Sequence, residues 1–289
     1  MVTHVAFADE SSYNFGRYRA LALVSMRADH VSAFRTLLAD HLAESGITEA
    51  KWARTKTAKA RFGAEKLLGT CLNEASNGRV RADVLIWDTR DDRHAVQGRD
   101  DNANLERMYY HLCRCTFRDR WPSGASWAVY PDEMTAMGWP LLRDILHREG
   151  FRQGLRGGGL IEAHEKGFLV EGIEPVVSAE EPLVQLADLL AGLGAYSWGS
   201  FDRWEAWRDA MGRQPTLFGD HAEINLSNGD RERCKLLQQL TEYAKQRTWG
   251  VALNGTRGLR TRDPRTSRVN FWRYVPQHQN DRAPTRNAF

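Results

Sequence analysis

The stretch VTHVAFADESSYNFGRYRALALVSM, residues 2–26, contains two β-prone runs separated by a polar turn. Val2 to Ala8 forms the first run and Tyr18 to Met26 the second, and each has the length of a strand. Two such runs joined by a short turn are typical of an antiparallel hairpin. The first run leads directly into Asp9 and Glu10, so the hairpin is expected to place carboxylates at one end of a sheet.

The rest of the chain alternates between helical and strand-like patterns. Apolar residues recur every three or four positions in the segments predicted as helices, and β-prone runs bounded by turns mark the strands. The predicted helices are 28–44, 57–75, 104–120, 140–149 (closed by Gly150), 182–198, 202–211 and 230–248. The predicted strands, besides the hairpin and its turn at 14–16, are 79–87, 126–130, one or two within 160–177, and 269–274, with 47–52 ambiguous. This order favours an α/β sandwich.

Composition limits the class of protein. The 289 residues carry 40 Lys and Arg against 37 Asp and Glu, a net charge of +3 that is too small to indicate nucleic acid by itself. Four cysteines without a Cys-x-x-Cys pair predict free thiols in a reducing compartment. No signal peptide and no apolar run long enough for a membrane span is recognised, so we expect a soluble cytoplasmic protein without membrane partners.

Acidic residues stand where predicted core elements end. Asp9 and Glu10 follow the first strand, and Asp132 and Glu133 follow the strand at 126–130. An acid after a strand is often only a turn or helix cap, so no single one is specific. Neighbours on a strand point to opposite faces, which leaves open which member of each pair belongs to a common site.

Asp188 lies inside the apolar helix sequence LVQLADLLAGLGAY. A buried carboxylate is costly unless it is paired with a cation or bound to a metal. Gln185 shares its helical face, and Gly192, one turn further on, leaves that face open for close approach. An Arg or Lys partner for Asp188 and a surface or capping position for Gln185 are the plainer alternatives.

Several carboxylates from different elements favour phosphoryl-transfer chemistry. Mg²⁺ and Mn²⁺ prefer oxygen ligands, and two such ions clamp the attacking and leaving oxygens of a phosphodiester. The residues alone therefore predict a site for Mg²⁺ or Mn²⁺ if the acids meet in space.

The segments FADESSY, EAKW, VYPDE and EPLVQLADLLAG resemble, in this order, the "domain of unknown function 3800" family, as does the closing NFWRYVP. The resemblance extends from about Val5 to about Pro276, and the pairing of DES with QLADLLAG is its most specific part. It implies an RNase H-like fold, a mixed sheet flanked by helices, in proteins of bacteria and phages. Such folds order their sheet 3-2-1-4-5, but the strand count after Trp87 is unclear from the sequence.

The resemblance also implies a set of site residues. An RNase H-like site takes four carboxylates, and the matching positions are Asp9, Glu49, Asp132 and Asp188, with Glu10 and Glu133 as neighbouring alternatives for metal binding. Lys51 of the EAKW motif is expected to hold a phosphate or to stabilise the leaving oxygen.

Basic residues flank these motifs. Arg54 and Lys56 follow the EAKW motif and, with Lys51 and Gln185, are candidates for substrate binding, although a solvated helix face is the plainer explanation for Arg54 and Lys56. The segment after Arg247 is rich in arginine and could follow a phosphate backbone or form a solvated tail. Its arginines are Arg257, Arg260, Arg262, Arg265, Arg268, Arg273, Arg282 and Arg286.

Together these patterns predict one RNase H-like domain, with a core at about 1–196, a helical lobe at about 197–248 and a basic C-terminal segment at about 249–289. The expected function is a metal-dependent nuclease acting on RNA, DNA or a hybrid. The alternatives are a non-catalytic subunit that binds nucleic acid or protein in a defence or mobile-element system, and a hydrolase of small phosphoesters. A protein partner or a homo-oligomer stays open.

Overall fold

The computed structural model describes residues 1–11, 16–91, 100–134, 137–158, 162–212, 226–253 and 257–275. Residues 14 and 15 of the expected turn, much of the polar loop before the third helix, and Arg282 and Arg286 lie outside these ranges. The strands are β1 (His4–Ser11), β2 (Tyr18–Arg27), β3 (Val80–Asp88), β4 (Ala125–Pro131), β5 (Phe168–Ile173), β6 (Val251–Ala252), β7 (Arg260–Thr261) and β8 (Val269–Arg273). The helices are α1 (Val31–Glu44), α2 (Ala58–Ser76), α3 (Asp101–Asp119), α4 (Trp139–Gly158), α5 (Ala163–Lys166), α6 (Pro182–Gly199), α7 (Phe201–Gly212) and α8 (Asn228–Gln246).

Six of these strands form one sheet in the order β5-β4-β1-β2-β3-β8. The first three strands along the chain pair antiparallel, as in the register Asp9↔Ala22, and β4 then pairs parallel to β1 with Ala8 opposite Pro131. With β5 parallel to β4, the first five strands have the 3-2-1-4-5 order of the RNase H-like fold, and β8 extends the sheet beyond β3. The fold is therefore RNase H-like, and the topology supplies the strand count that the sequence left unclear.

Helices cover both faces of the sheet, as expected for a sheet that is buried on both sides. On one face α6 packs across β1, β2 and β3, with α1, α2 and α8 around it. On the other face α3 and α4 pack over a second apolar cluster that contains Trp127, Tyr109 and Phe168. A helix enclosed in this way must be apolar around most of its surface, which explains the sequence of α6.

The apolar helix α6 begins as its sequence predicts. Pro182 occupies its first turn, where a missing backbone N–H costs nothing, and the Glu181 side chain accepts a hydrogen bond from the Leu183 N–H at 3.2 Å. The Glu181 carboxylate is also held by Arg35 of α1. This start is fixed from two sides, so the position of Asp188 along the helix is fixed as well.

The structure corrects several sequence predictions. The helix expected to close at Gly150 continues to Gly158. Gly150 and Gly154 do not end the helix; because they have no side chain, they let it pack directly against the backbone of Phe168 and Ala163. A Cβ atom at Gly150 would lie 2.0 Å from the carbonyl oxygen of Phe168. The ambiguous segment at 47–52 forms no strand, and Trp52 opens a short 3-10 turn. In the described part of 160–177 one short helix, α5, precedes the single strand β5.

The C-terminal segment is not a separate appendage, since β8 pairs with β3 along five residues.

The four cysteines are free thiols, as predicted. Among the described helices, none combines the length and the apolar character needed to cross a membrane.

Candidate carboxylate site

Asp9 stands at the carboxyl end of the central strand β1 and is only 5% exposed. Its carboxylate accepts a 2.7 Å hydrogen bond from the N–H of Glu10. Burial raises the pKa of Asp9 well above its usual value, and the negative charges of Asp188, Glu10 and Asp132 raise it further. Three other acids are therefore close enough to repel a charge on Asp9, which is the convergence that the sequence predicted.

The side chain of Glu10 turns toward α3 on the opposite side of the sheet from α6. Tyr109 of α3 donates a hydrogen bond to its carboxylate at 3.1 Å. Burial raises the pKa of Glu10 to about 7, against the lowering effect of the Tyr109 hydrogen bond. The alternation of side chains along β1 thus separates the pair, and Asp9 is the member on the α6 face.

Asp132 is held beside Asp9 by the backbone. Its N–H donates to the carbonyl oxygen of Ala8 at 2.9 Å, because β4 continues the parallel pairing with β1 at this point. Its carboxylate accepts hydrogen bonds from the backbone N–H groups of Ser178, at 3.2 Å, and of Glu133, at 3.0 Å. The Glu133 side chain is exposed, so Asp132 is the inward member of this pair.

Asp188 reaches the same place from α6. The backbone N–H of Trp52 donates a short hydrogen bond to its carboxylate. Burial raises the pKa of Asp188 to about 6, although the Trp52 hydrogen bond and the charge of Lys51 lower it. The predicted close approach at Gly192 is confirmed, because a Cβ atom there would lie 2.0 Å from Cγ of Trp52. The missing side chain at Gly192 lets the Trp52 ring, and with it the loop, pack on the helix.

Gln185 joins two loops of the site. Its side-chain oxygen accepts from the N–H of Ala50 at 2.8 Å, and its amide nitrogen donates to the carbonyl oxygen of Ser178 at 2.9 Å. The residue is 1% exposed. Both ends of its amide bond to the protein and the residue is buried, so the structure does not support the substrate contact predicted for it. Gln185 instead holds the loop before Trp52 close to Ser178, whose N–H binds Asp132.

Glu49 lies at the edge of the cluster and is bound to cations. Lys51 approaches its carboxylate at 3.2 Å and Arg54 at 2.7 Å. The Ser178 hydroxyl also lies 3.5 Å from it. Two positive charges therefore already neutralise Glu49, in contrast to the other acids matched by the resemblance.

Asp9, Asp132 and Asp188 form no ion pair with Arg or Lys within the described ranges. The positive charge of Lys51 acts on Asp188. Burial alone would lower the pKa of Lys51, but the hydrogen bond to Glu49 and the charges of Glu49, Asp132 and Asp9 raise it overall. One ammonium group thus faces a surplus of carboxylates. Clustered acids of this kind fit a hard divalent cation in ligand chemistry.

The carboxylates do not stand in finished metal-binding geometry. Among the described residues, no group of three or more His, Cys, Asp or Glu side chains is arranged so that it could hold an ion. The donor set therefore fits Mg²⁺ or Mn²⁺ by its chemistry and charge, and binding requires these side chains to rotate toward one another.

The two further basic candidates lie at the surface. The Arg54 side chain is 65% exposed while bound to Glu49, and the Lys56 side chain is exposed beside Gly229 of α8. Both are accessible to a ligand. Ser178 and Tyr109 could not be recognised from the sequence, because a serine in a loop and a tyrosine in a helix match many structural positions.

The fold and this site define a class, namely an RNase H-like α/β protein with a partly buried cluster of carboxylates at the end of its central strands. Two proteins of Methanothermobacter thermautotrophicus match along the chain. "Uncharacterized protein ORF2" is 37% identical over 288 residues and "Uncharacterized protein ORF2'" is 36% identical over 289, each with 97% of both chains covered. The chain belongs to the same family as these two archaeal proteins.

Other comparisons add less. No protein-family model matches the chain, so the resemblance to the "domain of unknown function 3800" family stays a prediction. A chain in the structure of the PCNA:RNase HII complex from Archaeoglobus fulgidus aligns with 84% of this chain and 89% of that chain, at 18% identity and a TM-score of 0.36. A likeness at this level carries no argument about activity.

Proposed function

We propose that the protein is a metal-dependent nuclease that hydrolyses phosphodiester bonds of RNA, DNA or a hybrid. One observation carries the proposal. Asp9, Asp132 and Asp188 come from three separate elements to one partly buried place, without an ion pair to Arg or Lys within the described residues, and their charges oppose one another. Retaining such repulsion costs stability, which is expected where a binding partner of opposite charge compensates it.

Asp9, Asp132 and Asp188 are the residues that would hold Mg²⁺ or Mn²⁺, which when bound supplies a water nucleophile and stabilises the leaving oxygen. Asp9 is best fixed, because it lies on the central strand. Asp132 and Asp188 are each oriented by a backbone N–H, from Ser178 and Trp52. Glu10 and Glu133 are less suited, since one faces Tyr109 and the other faces solvent.

Lys51 is placed to contact the substrate phosphate. Its ammonium group lies among the carboxylates and is held by Glu49, which makes Glu49 a residue that orients Lys51 as well as a candidate ligand. Arg54 and Lys56 then extend positive charge from the cluster to the surface, along the path a phosphate backbone would take. Cleavage is expected to leave a 3′-hydroxyl and a 5′-phosphate.

The test is cleavage of labelled RNA, DNA and hybrid in Mg²⁺ or Mn²⁺ by the parent, Asp9→Asn and Glu133→Gln. The loss of one ligand is expected to remove several kcal/mol of transition-state stabilisation, or about 1,000-fold in rate. Glu133→Gln, which alters the exposed neighbour of Asp132, is the matched control and should cut at the parent rate. Equal cleavage by the parent and Asp9→Asn, with both folded by circular dichroism, would refute the site.

The alternative is a non-catalytic subunit that binds nucleic acid or protein. It is favoured by the absence, among the described side chains, of three acids already in ion-binding geometry. EDTA separates the two functions. A nuclease loses turnover completely when the ions are removed, whereas a pure binding protein keeps its affinity for the oligonucleotide.

A further inference from the structure

A groove of about 850 Å³ lies between α7, the second half of α8 and the β6–β7 ribbon. We call it the basic groove, and its defining residues are Arg208, Lys245, Arg260 and Arg262. Its floor is apolar and includes Trp204, Ala244 and Leu253. Glu242 is the single acid among the residues that line it, and Gln238 donates a hydrogen bond to that carboxylate. The lining thus has a clear excess of positive charge.

Three of the cations have no carboxylate partner in the described part of the chain. Lys245, Arg260 and Arg262 form no ion pair there, whereas Arg208 pairs with Glu205 and Asp209. Most arginines elsewhere are neutralised, as shown by Arg257 with Asp202 and Arg273 with Asp88. Unpaired cations from two different elements therefore converge on one concave surface, which attracts anions.

The ribbon is built so that its arginines face the groove. Thr261 is buried and pinned to β8, since its hydroxyl accepts from the N–H of Phe271 at 2.9 Å. Arg260 precedes Thr261 on β7 and Arg262 follows directly after the strand, and both line the groove. After α8 the chain reverses through Thr248 and Gly250, with φ of 56° and 70°. The backbone N–H of Arg262 then donates to the carbonyl oxygen of Gly250 at 3.0 Å, which brings the ribbon back over the end of α8.

The basic groove is separate from the carboxylate site. Arg233 of α8 donates to the carbonyl oxygen of Trp52, whose N–H binds Asp188, so this level of α8 adjoins the site. Lys245 lies twelve residues further along, or about 18 Å at 1.5 Å per residue. A segment bound in the groove is therefore not the segment whose phosphodiester bond lies at the carboxylates.

We propose that the basic groove binds the phosphate backbone of a single-stranded segment of the nucleic acid, as a second binding site outside the carboxylate cluster. The identity of the ligand rests on the proposed function. Arginine forks match phosphate oxygens, and an apolar floor accepts base or sugar faces. A groove of this volume can enclose one strand, so we take a single-stranded segment as the ligand. Acidic peptides are the competing ligands that the test must exclude.

The test is fluorescence anisotropy with a labelled single-stranded 30-nucleotide DNA, in EDTA so that no cleavage occurs, across a series of salt concentrations. The variant is Arg260→Ala with Arg262→Ala in the full chain, and Arg265→Ala is the matched control. Arg265 is exposed in the same segment but does not line the groove. Each lost phosphate contact lowers the salt slope by about 0.7, so two lower it by about 1.4. At 0.1 M salt that predicts binding about 25-fold weaker.

Unchanged affinity and slope in the double variant would overturn the proposal, as would equal losses in Arg265→Ala. It also fails if the double variant keeps its oligonucleotide affinity and loses binding to a polyglutamate peptide. A dinucleotide too short to span both sites reports on the carboxylates alone, and its hydrolysis should be equal in parent and double variant. If the parent binds DNA through the groove but hydrolyses neither substrate, the groove stands and the nuclease function falls.

Discussion

Replacing Asp188 with Asn should make the protein more stable in EDTA while it destroys activity. The pKa of Asp188 in the folded protein is about 6, against a usual value of 3.8. Burial is the main cause. The folded state therefore binds a proton more tightly than the unfolded state, so stability falls as pH rises from about 4 to about 6 and the whole penalty is present above that. Asn carries no charge, yet its side-chain oxygen still accepts from the Trp52 N–H.

The magnitude follows from the pKa rise. At 1.36 kcal/mol per unit of pKa, the penalty at pH 8 is about 3 kcal/mol. This value is an upper bound, because Asp188 keeps some exposure to water, which screens its charge. With an unfolding entropy of about 2.1 cal/mol/K per residue, about 3 kcal/mol raises Tm of a chain of this length by about 5 °C. Near pH 4 the advantage of the variant should fall below about 1 kcal/mol.

The assay is thermal unfolding of the parent and Asp188→Asn at pH 8 and pH 4 in EDTA, repeated with Mn²⁺ at pH 8. Mn²⁺ should stabilise the parent more than the variant, because a ligand that binds only the folded state stabilises it by mass action. Asp88→Asn is the control with the opposite sign. Asp88 is buried, but Arg17 and Arg273 hold its charge, so its loss destabilises. A variant no more stable than the parent at pH 8, or equally favoured at both pH values, would refute the reasoning.

Two further predictions concern the residues that shape the site. Gly192→Ala should lower the free energy of unfolding by about 3 kcal/mol or more and reduce cleavage, because the new Cβ collides with Trp52. The control is Gly199→Ala, where a Cβ has nothing within 4 Å, and it should change the free energy of urea unfolding by less than about 1 kcal/mol. Gln185→Met keeps the side-chain volume but leaves the buried N–H of Ala50 unpaired, so it should cost about 1–3 kcal/mol and lower kcat. Equal unfolding midpoints for either Gly192→Ala or Gln185→Met and the parent would contradict the packing described for it.

Local pattern was a good guide to the elements that surround the site. The two β-prone runs and the turn between them predicted the hairpin and placed Asp9 at the end of its first strand. The apolar sequence of α6 predicted a buried helix with Asp188 inside it, and Gly192 marked the place of close approach. Such features depend on neighbours in the chain, so they are readable without knowledge of the fold.

Long-range pairing was not readable in this way. Gly150 looked like a helix end, yet it lies within α4 because the backbone of β5 passes too close for any side chain. The role of Gln185 depends on two loops that are distant in sequence. The neutralisation of Glu49 depends on how Lys51 and Arg54 fold back over it.

The sequence by itself determined which acids are candidates to carry charge into the interior, since Asp9 and Asp132 end apolar strands and Asp188 lies within an apolar helix. Only the tertiary structure decided which of those acids face one another. Whether Asp9 or Glu10 joins Asp188 depends on which face of the sheet α6 covers, and that is set by the crossing of elements more than a hundred residues apart.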